Sequence, residues 1–154
     1  YPEFSPEVIA DLRTSLDMQL EAFLDAKTAD LRTLLLGKDV YINGTLAEVY
    51  GVKLPSDAGF HLMPLDPEHR AGILAHPYLM AAYAYTGHTS PIHRGVFLAR
   101  GVLGVNLRPP QEAFSPLSPD LHPTLTTRER VALQTSPKNC MSCHSIINSL
   151  GFTL

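Results

Sequence analysis

The sequence predicts an all-α fold, a compact helical domain with long proline-rich loops. Three observations predict it. Serine-proline pairs at Ser5-Pro6, Ser90-Pro91 and Ser136-Pro137 supply a capping hydroxyl followed by proline at the first helical position. Thirteen prolines punctuate 154 residues, and Pro109, Pro110, Pro116, Pro119 and Pro123 make residues 106 to 124 read as an extended connector. Strand signals are weak throughout.

The first helix runs from Pro6 to about Lys27, with Val8, Leu12, Leu16, Leu20 and Phe23 on one face. A short second helix covers Ala29 to Leu36 and ends at Gly37, which suits a left-handed cap. Asn43 caps a third, with Leu46, Val49 and Tyr50 apolar and Gly51 closing it. Residues 52 to 69, with Pro55, Pro64 and Pro67, read as loop. Pro77 opens a helix to about Tyr85, while Ile73 to Ala75 fit either a helical or an extended backbone. Ser90-Pro91 starts a helix that reaches Leu103 and ends at Gly104. Beyond the connector, Thr126 and Glu129 form a capping box ahead of Val131 and Leu133. The last helix starts at Ser136-Pro137, reaches Leu150 and stops at Gly151.

Composition narrows the function. The hydrophobic share of 45% provides for a real core. Net charge is -3, and no basic cluster offers a grip on phosphate backbones, which excludes nucleic acid as a partner. The most apolar stretch, Leu79 to Tyr85, is far too short to span a bilayer, so no transmembrane segment is expected in this chain.

The two cysteines stand three apart with a histidine after the second: Cys140-Met141-Ser142-Cys143-His144. On a helix, positions i, i+3 and i+4 share one face, so both sulfurs and the imidazole point the same way. A c-type haem requires this, because two thiols add across its vinyl groups and the adjacent histidine reaches the iron. A redox disulfide normally follows a strand in a βαβ unit, and none is expected here. A zinc site wants a second ligand cluster, and none accompanies this one. Two inert core thiols are the remaining alternative. The spacing favours one covalently attached haem c, with Cys140, Cys143 and His144 binding the cofactor and His144 as the iron ligand. The other ring nitrogen of His144 is expected to donate to a backbone carbonyl.

These residues belong to a longer series in fixed order. Thr89-Ser90-Pro91-x-x-Arg94-Gly95 comes first, then Val102-Leu103-Gly104, Arg128-Glu129-Arg130, the haem motif, and Leu150-Gly151-Phe152. The series resembles the large cytochrome-type proteins of planctomycetes and related bacteria. Tyr41-Ile42-Asn43-x-x-Leu46-x-x-x-Tyr50-Gly51 is similar to the end of the preceding domain in those proteins. The resemblance implies residues 1 to 52 as an N-terminal helical segment and residues 53 to 154 as the haem c module, within a longer chain. It also implies that Asn148-Ser149 stands where the family often has Asp-Pro.

Only ten residues follow His144, and none is Met, His, Lys or Cys. A sixth iron ligand must therefore come from upstream, from a further segment, or from a partner. His61 is a further candidate, His69, His88 and His122 lie in turn contexts, and His93 stands at a helix start. Met63 and Met80 are thioether candidates, while Met141 sits inside the attachment loop. His76, between Ile73-Leu74-Ala75 and Pro77, lies in apolar surroundings and is the first candidate, with Met80 the runner-up. Arg94 and Arg100 suit haem propionates, with solvated helix positions the competing reading. Tyr83 and Tyr85 fit core or pocket wall. The expected function is a monohaem c-type cytochrome module for electron transfer, periplasmic or exported. Its partner is a redox protein or other domains of the same larger protein. The alternatives are a haem enzyme with an open iron site, and a haem that serves as structural core.

Overall fold

The structure, a computed structural model, describes residues 4–66, 68, 72–108 and 123–154. Most of the proline connector, along with His69 and His122, lies outside the described residues. The chain forms two compact units, Tyr1–Ala82 and Tyr83–Leu154. The division between these compact units falls after Ala82.

In the first unit, α1 (Pro6–Leu24) begins as expected, with the Ser5 hydroxyl accepting the Val8 amide at 3.2 Å. It stops short of Lys27, at a cap on Asp25. Its inner face buries Leu12, Ser15 and Leu16, whereas Leu20 is exposed. Helix α2 (Leu31–Leu36) is a turn and a half capped by Asp30. Gly37 does not adopt the left-handed cap: its φ of -59° and ψ of 145° are extended. A side chain there would instead strike the Thr33 carbonyl.

The expectation of an all-α fold is corrected by an antiparallel pair, β1 (Asp39–Ile42) and β2 (His61–Pro64). The fold is mixed. Register places Val40 opposite Met63 and Ile42 opposite His61. Val40 and Ile42 are buried with Leu12 and Leu46, so β1 gains its stability from α1 and from the turn leading into α3 (Ala47–Tyr50). Each strand is four residues long, and the ladder forms across some twenty residues of intervening chain, so local pattern carries little trace of it. Residues 73 to 75 form a 3₁₀ turn, followed by α4 (Pro77–Ala82), which ends before Tyr85.

In the second unit, α5 (Pro91–Phe97) is capped by Ser90, whose hydroxyl accepts the His93 amide at 3.3 Å. It continues as a π-helical turn, Leu98–Val102, rather than as regular helix to Leu103. Helix α6 (Thr127–Gln134) carries the full capping box between Thr126 and Glu129. Helix α7 (Lys138–Gly151) packs along α5. Ala99, Leu107 and Ile147 form the buried centre here, with Ile92, Val96, Val105, Cys143 and Leu150 around it.

Candidate functional site

Helix α7 carries Cys140, Cys143 and His144, spaced to share one face. Both thiols are free and half-buried. Cys143 packs at the edge of the apolar cluster built on Ala99, Leu107 and Ile147. Met141 and Ile146 on the same helix are 42% exposed each, so apolar surface remains beside the motif. Two free thiols one turn apart, an adjacent imidazole and apolar surface make a donor set that fits a covalently attached haem.

The His144 ring is held from one side. Its Nδ1 lies 3.0 Å from Asn148 Oδ1, one helical turn on. Asn148 Nδ2 in turn donates to Thr135 Oγ1 at 2.9 Å, and the Thr135 hydroxyl donates to the Val131 carbonyl at 2.8 Å. The orienting partner of His144 is therefore a side-chain amide, not the backbone carbonyl expected from sequence. In a helix, the carbonyls near His144 are already committed to the ladder, while a side chain at i+4 sits directly over the ring. Thr135 was not singled out in the sequence, and Asn148 was noted only as a departure from the resembling family, with no role toward His144. The readable signal was a hydrogen-bonding side chain one turn after the histidine.

The residues that flank the motif hold the end of α7. Arg94 is 7% exposed, and its guanidinium donates to the carbonyls of Gly151 and Leu154 at 3.1 Å each, and to Thr89 Oγ1. A cation on the last carbonyls of a helix complements its dipole. Gly95 and Gly151 make the crossing possible. A Cβ on Gly95 would lie 2.8 Å from the Ile147 carbonyl carbon, and one on Gly151 would lie 2.7 Å from that of Pro91. Gly151 is thus needed for close approach, not for a left-handed stop. From α6, Arg128 stacks 4.2 Å over the Phe152 ring. Arg130 donates to the Leu125 carbonyl and, at 3.1 Å, to Thr127 Oγ1.

The other sequence candidates are placed as follows. Arg94 is committed to backbone carbonyls, and Arg100 donates to the Leu107 carbonyl at 2.6 Å. A propionate at either would have to displace these bonds. Tyr83 stacks on Phe97 at 4.5 Å. Tyr85 lies between the rings of His88 and His93, at 4.9 and 4.7 Å. His61, His88 and His93 are exposed, Met63 packs against the core of the first unit, and Met80 is half-buried in α4.

His76 is buried in the first unit and both ring nitrogens are engaged there. The Tyr78 amide donates to Nδ1 at 3.2 Å. Nδ1 therefore acts as acceptor, and in the neutral ring Nε2 carries the proton. Nε2 faces Ser15 Oγ at 3.2 Å and the Tyr50 hydroxyl at 3.4 Å. Ser15, itself fully buried, donates to the Tyr41 carbonyl at 2.6 Å. His76 is in this state a donor toward Ser15 and not a base that would activate it.

Among the described residues, no group of three or more His, Cys, Asp or Glu side chains converges as a metal-ion site. Nor is any described helix long and apolar enough to cross a membrane. Residues 70–154 match the family model PSCyt3, described as "Protein of unknown function (DUF1588)". Residues 1–52 match PSD4, described as "Protein of unknown function (DUF1592)". No curated protein and no solved structure matches the chain.

Proposed function

The chain belongs to the PSCyt3 family of proteins of unknown function (DUF1588); we propose that its second unit is a monohaem c-type cytochrome module for electron transfer. One observation carries the reading: Cys140, Cys143 and His144 share a face of α7, and the His144 Nδ1 is already bonded to Asn148. Cys140 and Cys143 would hold the haem through thioethers, and His144 Nε2 would face the iron. When bound, the haem supplies a one-electron iron couple. The chain's own part is to fix the ligand ring, to cover the porphyrin edge with the apolar residues around Cys143, and to hold α7 rigid.

His76 is the proposed sixth ligand on sequence grounds, and in that role its Nε2 would have to release Ser15 and Tyr50. Redox exchange would be with a partner protein or with further domains of a larger protein. A module carrying covalent haem would work in the periplasm or outside the cell.

The test is the intact mass of the chain produced together with a covalent haem-attachment system. One added haem on the wild type, and none on the Cys140→Ser/Cys143→Ser double variant, is the expected result. Two unmodified thiols after such maturation overturn the proposal.

A further inference from the structure

We infer that Asn148 and Thr135 are positioning residues that lock His144 in the tautomer an iron ligand needs, an inference that rests on the haem reading above. The argument begins at Thr135, which is 4% exposed. Its hydroxyl has one proton, and that proton goes to the Val131 carbonyl. Toward Asn148, Thr135 Oγ1 can then only accept, so the group facing it at 2.9 Å must be the Nδ2 amide. This settles which way the Asn148 side chain points, an assignment that otherwise depends on the surrounding network. Its Oδ1 faces His144 and has only lone pairs to offer. Nδ1 must therefore carry the ring's proton, and Nε2 keeps the lone pair that binds iron. Among the described residues Nε2 has no hydrogen-bond partner. A turn at the end of α6 thus dictates the chemistry of a ring on α7.

The identity of the acceptor also bears on the iron. A hydrogen bond at Nδ1 raises the basicity of the ligating nitrogen, and a carboxylate does so more strongly than an amide. Asn148 offers an amide oxygen, which leaves the ligand less electron-rich and the ferric state less favoured than a carboxylate at the same place would. Asn148→Asp should stabilise ferric over ferrous iron about tenfold, lowering the midpoint potential by about 59 mV for one electron. Asn148→Leu should shift it the opposite way.

Two measurements test this. The tautomer of His144 is read from the ring-nitrogen resonances of the ¹⁵N-histidine-labelled full chain before haem attachment, in wild type, Thr135→Val and Thr135→Ser. The midpoint potential is read on the haem-loaded chain of wild type, Asn148→Asp and Asn148→Leu. The expected results are an Nδ1–H tautomer in wild type and Thr135→Ser, a mixture in Thr135→Val, and potentials in the order Asp, Asn, Leu from low to high. An Nε2–H tautomer in wild type overturns the inference, as does a Thr135→Val chain with an unchanged tautomer or a potential insensitive to residue 148. Failure to attach haem, with the tautomers behaving as stated, counts against the cytochrome reading while supporting the relay.

Discussion

Replacing Gly151 with alanine should loosen α7, and the size of the effect can be worked from the crossing geometry. The new Cβ would sit 2.7 Å from the Pro91 carbonyl carbon and 3.1 Å from the Gly95 nitrogen, whereas ordinary contact begins at 3.4 Å. Both neighbours are backbone of α5 at buried positions, so neither can swing aside. The Pro91 carbonyl oxygen lies nearer still than its carbon, so relief requires α5 and α7 to separate by more than the roughly 0.7 Å shortfall at the carbon, which forfeits at least a quarter to a half of the dispersion attraction between the facing atoms. Overpacking of this kind costs about 1–3 kcal/mol. The helix propensity gained from Gly to Ala, at most about 1 kcal/mol, is smaller at a helix end. A net loss of about 2 kcal/mol should lower the melting midpoint by about 4–8 °C for a chain of this size, followed by far-UV circular dichroism. Gly95→Ala should behave alike, since its Cβ would meet the Ile147 carbonyl carbon at 2.8 Å. The double variant should lose less than the sum of the two, because one separation relieves both clashes. Gly59→Ala, where a Cβ would meet nothing within 4 Å, is the control. A Gly151→Ala chain as stable as wild type, or a fully additive double variant, refutes the shared crossing.

The remaining predictions address the groups around it. Arg94→Lys keeps the charge but cannot serve Thr89, Gly151 and Leu154 together, so urea unfolding should show a loss of about 1.5–3 kcal/mol. His76→Ala separates two roles of a buried histidine. A haem spectrum that turns high-spin supports ligation, and an unchanged spectrum with lowered stability assigns His76 to the Ser15–Tyr50 network alone. Glu129 is held below the ordinary carboxylate range, first by the Thr126 backbone amide and then by its hydroxyl. Its contribution is present above the unfolded value and disappears as pH falls through the lowered folded value, so Glu129→Gln should flatten the acid limb of the stability profile.

Three helix starts were legible because their chemistry is local, whereas at α7 the expected Ser136 cap is absent: its hydroxyl donates to the Leu133 carbonyl and Pro137 itself precedes the helix. Ser5, Ser90 and Thr126 each accept an amide three residues on, and no distant partner is needed. The sheet was illegible for the opposite reason: Asp39–Ile42 and His61–Pro64 each show only four residues, and their partnership is set by the burial of Val40 and Ile42 against α1. His76 was noticed for its apolar neighbours, yet the hydroxyls that engage it come from Ser15 and Tyr50, 61 and 26 residues earlier. Arg94 drew attention as a cation suited to carboxylates. Only the packing reveals that it faces the carbonyl end of a helix, which presents the same partial charge.

Two segments that travel together in the sequence turn out to be halves of one contact. Pro91, Arg94 and Gly95 meet Gly151 or Leu154 by hydrogen bonds or by backbone approach, Thr89 accepts from Arg94, and Arg128 closes over Phe152. Every one of these contacts lies at the carboxyl end of α7, seven or more residues past His144. The middle of the helix is gripped separately, through Asn148 and Thr135. A helix clamped at its end by α5 and α6, and oriented at its histidine by α6, can rotate very little about its axis. For a group tethered at Cys140 and Cys143 and ligated at His144, axial rotation is the motion that would tilt the ring away from the metal. In a one-electron carrier, small changes in ligand geometry between oxidation states keep reorganisation low. Under the proposed haem reading, the short backbone approach at Gly151, which costs helix propensity and tolerates no side chain, would also hold the ligand ring still.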